Sequence, residues 1–330
     1  MLTTYPWLNV LADKLTSYQQ QKRLPNALML QGDKGLGLAT LARDFSKQVF
    51  CLKPTSKGSA CCICSSCLLF DAGNYPDYID IKPDEGKLTI KIDTIRQLSE
   101  RLALTGQFAN PRIVIIDPID ALLHQASNSL LKTLEEPSDN TCLILIAHKL
   151  SKVPMTIRSR CQIIKINAID KGLANQWLEA EGCEQSLQYL VLANGQPLLA
   201  YDLWKKDGLG HRRELLDGFI ALIKGQLDPL VFAENCLSKK EFPIIKWLTS
   251  WLADAVKYKH SNTAKQHLNV DLAEDLKVLS SKLHLNDLYS LLDKLGQLAQ
   301  LESTQLNQQL LLEEFSVDCF FASKIKGHKR

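Results

Sequence analysis

The chain lacks a large net charge, a long apolar run and the lysine of a phosphate-binding loop. Each absence removes a class of function. Across 330 residues, 39 lysines and arginines stand against 36 acidic residues, so no global field drives the chain onto nucleic acid or an anionic membrane. Contact with DNA then has to come from a local patch or through partners. No apolar stretch reaches the ~20 residues that a bilayer-spanning helix needs. The opening Met1-Leu2-Thr3-Thr4-Tyr5 has no basic region followed by an apolar core. No secretory signal is therefore expected, and the chain reads as cytoplasmic. Its length predicts two or three domains.

What is present centres on residues 111–161. The apolar run Arg112-Ile113-Val114-Ile115-Ile116-Asp117 has the length and β-branching of a buried strand. Asn128-Ser129-Leu130-Leu131-Lys132-Thr133-Leu134-Glu135-Glu136-Pro137 reads as a helix that the proline ends. A second buried strand spans 142–147, followed by Ile157-Arg158-Ser159-Arg160-Cys161. Strand, helix and strand at this pitch make a βαβ unit with a parallel sheet. Arg160 is then a guanidinium at the sheet edge. It either reaches a neighbouring molecule or pairs with Glu135 or Glu136.

Upstream, the helix stripe Leu8, Leu11, Leu15 and Tyr18 packs on the first domain, and residues 25–31 read as a buried strand. The loop that follows carries the informative absence. A nucleotide-binding loop needs Gly, four residues, then Gly-Lys-Ser/Thr: backbone N–H groups cradle phosphate, the lysine meets it and the hydroxyl holds magnesium. Here Gly32 and Gly37 are in place, but Leu38 fills the lysine position and Ala39 the hydroxyl position. Asp33 adds a negative charge, Lys34 falls too early to serve the helix start, and Thr40 falls one position late. Residues 76–83 read as a short strand, and a helix follows with Asp93 as its cap.

The ten cysteines are too clustered, in too long a chain, for a disulfide scaffold. Cys61, Cys64 and Cys67 are spaced Cys-x2-Cys-x2-Cys, and Cys51 supplies a fourth thiolate. Four thiolates satisfy a structural zinc site with no open position, and iron–sulfur ligation uses similar repeats. Cys62 competes with Cys61 for membership.

The motif at 128–137 together with Ser159-Arg160-Cys161 resembles the clamp-loader branch of the AAA+ superfamily, represented by the gamma/tau and delta prime subunits of bacterial DNA polymerase III. The resemblance runs over nearly the whole chain and is strongest at 51–161. It implies an α/β fold: a P-loop-like parallel-sheet domain at 1–167 with an inserted zinc module at 51–67, a small helical lid at 168–207, and an all-α helical collar at 208–330. It favours zinc at Cys51, Cys61, Cys64 and Cys67, in a structural role. It makes Arg160, flanked by Ser159 and Cys161, an arginine finger offered in trans to the ATP site of an adjacent subunit.

Active members of the branch end the strand at Asp117 in Asp-Glu, where this chain has Asp117-Pro118. They sense the γ-phosphate with threonine or asparagine, where this chain has His148. They carry a lid arginine in Gly-x-x-Arg, where this chain has Gly195-Gln196-Pro197-Leu198. With Gly32, Gly37, Leu38 and Ala39 forming a degenerate loop, no functional ATP site is expected. The departures fit the non-hydrolysing delta prime family. The partners implied are gamma/tau and delta in a hetero-pentameric ring, with the sliding clamp and primer-template DNA reached through the complex and no membrane. Two other readings stay open: an active ATPase using Lys34, and a zinc-dependent nucleic-acid-binding module.

Residues 205–210 read as a linker and 167–170 as a hinge. After His211 only helical stripes are expected, as in Ile244, Trp247, Leu248, Trp251, Leu252 and Ala255, without a convergent polar cluster. The basic tail 324–330 is expected to fray.

Overall fold

The computed structural model of the chain describes residues 5–21, 23–55, 58–104, 106–108, 110–166, 169–239, 241–260, 267–301 and 308–324. It divides into two units, 1–201 and 202–330. In the first, strands β1 (Ala27–Gln31), β2 (Tyr78–Ile81), β3 (Arg112–Ile116), β4 (Thr141–Ala147) and β5 (Gln162–Lys165) form one sheet. Their order is β2-β3-β4-β1-β5, and every pairing is parallel. β3 and β4 are buried from end to end, which is why they read as unbroken apolar runs rather than alternating ones.

Alternation shows instead in which layer each side chain joins. Leu28, Leu30, Ile113, Ile115, Ile144 and Ile146 pack on one face under α1 (Asn9–Gln20) and α2 (Leu38–Phe50). Met29, Val114, Ile116, Leu143 and Leu145 pack on the other, against α4 (Ile92–Ala103), α5 (His124–Glu135) and α6 (Met155–Arg158). Between α2 and β2 lies the short α3 (Ser65–Asp71).

Two local expectations shift. Asp93 does not cap α4: Lys91 holds that position without a side-chain cap bond. Asp93 sits in the first turn, where it suits the positive end of the helix and approaches Arg96 at 3.5 Å. α5 begins at His124 rather than Asn128, because its N-cap is Leu123, which makes no capping bond and leaves no start signal in the sequence.

Three helices follow the sheet: α7 (Lys171–Ala180), α8 (Ser186–Leu192) and α9 (Pro197–Lys205). α7 is capped by Asp170, whose side chain accepts from Gly172 N at 2.7 Å. The linker expected at 205–210 is a tight corner instead. α10 (Gly208–Ile223) starts at once, and a Cβ on Gly208 would lie 2.9 Å from the Leu203 carbonyl oxygen. The glycine is there for close approach. Of the expected hinge and tail, residues 167–168 and 325–330 lie outside the described residues.

The second unit continues with α11 (Pro229–Ser238), α12 (Ile244–His260), α13 (Ala273–Lys282), α14 (Leu285–Leu301) and α15 (Gln308–Lys324). The Phe219 ring lies within 6.4 Å, centroid to centroid, of Phe232, Trp251 and Phe315. Beside this core is a polar cluster that the helical stripes did not announce. Asp254 on α12 is fully buried and accepts from Leu268 N (3.0 Å), Asn269 N (2.9 Å) and Asn269 Nδ2 (2.8 Å). Buried Arg212 donates to Asn269 Oδ1 at 2.5 Å and to Asp271 Oδ2 at 2.7 Å. No described helix is long and apolar enough to cross a membrane.

Burial pushes the Asp254 carboxyl up, but Lys257 and the N–H donors of residues 268 and 269 outweigh it and hold its pKa below the ordinary value. A depressed carboxylate stabilises above its unfolded pKa, and that contribution is lost as pH falls through the folded value. Asp254→Ala is expected to cost about 2–4 kcal/mol at neutral pH by orphaning buried donors, and to flatten the loss of stability below about pH 4. Urea unfolding across pH measures both.

Candidate functional site

At the carboxyl end of β1 the glycine loop keeps the backbone of a phosphate cradle. Gly35 and Gly37 have φ of 89° and 84°, in the left-handed region that favours glycine, and Gly37 leads into α2. The space above the loop is taken by side chains of the same unit. A Cβ on Gly37 would sit 2.6 Å from the Tyr5 ring, and one on Gly35 3.2 Å from Leu199 Cβ. Trp7 Nε1 donates to the Leu36 carbonyl at 2.9 Å, and Leu198 N donates to the Gly35 carbonyl at 3.1 Å.

Tyr5 stacks on Trp7 at 5.3 Å, and Trp177 meets both edge-on at 5.8 and 5.3 Å. This aromatic cluster, with the start of α9, covers the loop. Leu38 joins the core under the sheet, while Asp33 and Lys34 are exposed.

The strand ends next to the loop are held by His148. Its Nδ1–H donates to the Gly32 carbonyl at 2.9 Å, the only direction a carbonyl permits. Its Nε2 lies 3.5 Å from Asp117 Oδ1, and its backbone N–H donates to Asp120 Oδ1 at 2.8 Å. Burial pushes the imidazole pKa down, but the Asp117 carboxylate, the Gly32 carbonyl and Asp120 raise it above the ordinary value. Asp117 thus faces an imidazole of the same chain, and the two form an ion pair when that imidazole is protonated. Sequence reasoning gave His148 little weight; the signal was its place just past β4, beside the end of β3, in a register that pairs Ile116 with Leu145.

The four expected thiols converge. The sulfurs of Cys51, Cys61, Cys64 and Cys67 lie within 4.8 Å of one another. Tetrahedral Zn–S arms of ~2.3 Å imply S···S edges of roughly 3.8 Å, so the set fits one tetrahedral ion. Cys51 closes α2, and Cys64 opens α3, which carries Cys67. Cys61 N donates to the Cys51 sulfur at 3.2 Å. N–H donors from Ile63 and Cys64 lower the Cys61 pKa against its burial. Burial raises that of Cys64, but the N–H groups of Cys67 and Leu52 and neighbouring thiols bring it down to about 6. Cys62 stands outside the cluster, exposed, with φ of 61°.

Arg160 lies between α6 and β5. Its Nη2 is 2.5 Å from Glu135 Oε1, and its Nη1 donates to the Thr156 carbonyl at 2.9 Å. Ser159 Oγ also donates to Thr156 O, at 3.1 Å, and burial raises the Cys161 thiol to about 11. Arg160 and Glu135 border a pocket of ≈ 350 Å³ shared with Asn26, Pro137 and Gln162. Of the two readings of Arg160, the pairing with Glu135 is the one seen in this chain.

A family model described as DNA polymerase III, delta subunit matches residues 8–170, and its C-terminal counterpart matches 206–317. DNA polymerase III subunit delta' of Pseudomonas aeruginosa is 30% identical over 96% of this chain and 97% of its own length. The Yersinia pestis protein of that name is 30% identical over 94% and 93% of the two chains. The Escherichia coli one is 29% identical over 94% and 93%.

His148 also sets a pH signature. A raised histidine pKa stabilises fully below the unfolded value of about 6.5, and that stability is lost as pH rises through the folded value. His148→Ala is expected to cost about 0.5–1 kcal/mol at pH 5.5 and less at pH 9. Denaturant midpoints of parent and variant at the two pH values check the sign.

Proposed function

The chain belongs to the family of DNA polymerase III delta' subunits, and from that premise we propose that it is the non-hydrolysing stator of a clamp loader, presenting Arg160 to a neighbouring subunit's ATP. The observation that carries this reading is the cradle itself. Its glycines remain, but Tyr5, Leu198 and Leu199 stand where phosphates would lie. Active-site lysine and hydroxyl are replaced by Leu38 and Ala39, and Asp117 faces His148 in place of magnesium.

Sheet geometry supports a role in trans for Arg160. It precedes β5, whose first residue Gln162 is level with Leu28 on β1. Gly32 follows the far end of β1, about 13 Å along at ~3.3 Å per residue. Arg160 and the chain's own glycine loop therefore face opposite ends of the sheet. A rigid guanidinium at an edge is suited to neutralise charge on a phosphoryl group held by another subunit.

The remaining assignments follow the family. Residues 1–167 form the AAA+-like domain, 168–207 the lid and 208–330 the collar through which the chain joins gamma/tau and delta in a hetero-pentameric ring. The chain contributes no intrinsic ATPase to the holoenzyme. It acts on the sliding clamp and primer-template DNA through the complex, in the cytoplasm. Cys51, Cys61, Cys64 and Cys67 hold a structural zinc, which ties the end of α2 to α3 and supplies no open coordination position.

Purified chain is expected to show no ATP-analogue binding at millimolar nucleotide by calorimetry. Saturable binding that Lys34→Ala abolishes would restore the active-ATPase reading. In the reconstituted complex, Arg160→Ala is expected to lower turnover at the site it serves by ~10³-fold or more, so that clamp-stimulated ATPase drops by that site's share. Unchanged turnover rejects the finger. Elemental analysis should find one zinc per chain, lost in Cys64→Ser together with several degrees of thermal stability.

A further inference from the structure

Glu135 occupies a position that helix electrostatics disfavour. It is the last residue of α5, where the carbonyl end of the helix dipole repels a carboxylate, and Glu136 adds a second acid beside it. Departures from a local rule of this kind concentrate where function compensates them. The compensation here is Arg160, whose Nη2 meets Glu135 Oε1 at 2.5 Å while its Nη1 is held by the Thr156 carbonyl at 2.9 Å. Both side chains are solvent-accessible, 36% for Arg160 and 49% for Glu135, so the pair is screened and exchangeable rather than locked.

A phosphoryl group approaching this guanidinium is itself an anion. It competes with Glu135 for the same fork of donors, and a retained carboxylate at that distance would repel it. We infer that Glu135 is an internal counter-ion that parks Arg160 while no nucleotide faces it, and releases it when a neighbouring subunit presents a nucleoside triphosphate. The ≈ 350 Å³ pocket beside the pair, bordered by Asn26, Pro137 and Gln162 and floored by Ala27 of β1 and Leu143 of β4, leaves open space next to the guanidinium. Thr156 sits one turn before Arg160 and accepts from it through its backbone carbonyl. Glu135 is a positioning residue that acts through Arg160, and its role rests on the finger reading above.

Parking costs apparent nucleotide affinity and leaves the chemical step alone, because Glu135 has left by the time the transition state forms. In the reconstituted complex, Glu135→Gln is expected to lower the half-saturating ATP concentration about two- to fivefold, the range of an exposed ion pair, with kcat unchanged within twofold. The difference should shrink as salt rises from 0.05 to 0.5 M and the Debye length falls from about 14 to about 4 Å. In an Arg160→Ala background the Glu135→Gln effect should vanish. A purely structural role for Glu135 would persist there and appear in the melting temperature of the isolated chain.

An unaltered half-saturation in Glu135→Gln, with Arg160→Ala still impaired, overturns parking and leaves the finger standing. A fall in kcat in Glu135→Gln overturns it too, by making the carboxylate part of the working geometry. If Arg160→Ala itself changes nothing, both readings fall together.

Discussion

Because helices cover both faces of a parallel sheet whose β3 and β4 are buried from end to end, chemistry in the first unit is confined to the strand ends. Everything functional in that unit follows from what each end presents. At the carboxyl ends, where a nucleotide would bind, the polar groups are satisfied internally: Gly32 and Asp117 by His148, Gly35 by Leu198 N, Leu36 by Trp7. At the amino ends, Arg160 is paired with Glu135 and stays partly accessible. One sheet thus carries a closed end and an open end, and the open end faces away from the chain's own loop.

Internal satisfaction has a mechanical consequence. In a working nucleotide site, the loop after β1, the end of β3 and the following helices are joined through phosphate and magnesium, so their arrangement changes when these leave. Here His148 bridges the loop to the end of β3 with imidazole nitrogens, and the Tyr5–Trp7–Trp177 cluster joins the amino-terminal segment to α7. The links are parts of the chain itself, and the one from His148 to Asp117 depends on imidazole protonation. Links of this kind hold the loop and the end of β3 together without phosphate or magnesium.

Much of this was legible in the sequence because it is local. The strands announce themselves by unbroken β-branched runs, the departure from a phosphate loop by Leu38 and Ala39, and the thiol site by its spacing, with Cys51 supplied from the end of α2. What stayed hidden depends on residues far apart meeting. Asp254 lies on an apolar stripe of α12 and looks like a defect until Asn269, reached across the α12–α13 connection, delivers its backbone and amide donors. His148 acquires meaning only when the β3–β4 register sets it beside Asp117. Spacing favours Cys61 over its neighbour Cys62, and the structure puts the Cys61 sulfur in the cluster while Cys62, with left-handed backbone, stays outside it.

The glycine loop itself shows why a motif's backbone and its chemistry must be weighed apart. Gly35 and Gly37 are demanded by positive φ in any protein that makes this turn into a helix. Their missing side chains also let something approach the backbone closely. In a nucleotide enzyme that something is phosphate; here it is the Tyr5 ring at Gly37 and Leu199 at Gly35. Either occupant requires glycine, so the two glycines alone cannot distinguish a live cradle from a filled one. The residues that distinguish them are those with no role except toward phosphate and magnesium, and at those positions this chain carries Leu38, which packs into the core, and Ala39, which has no hydroxyl to offer.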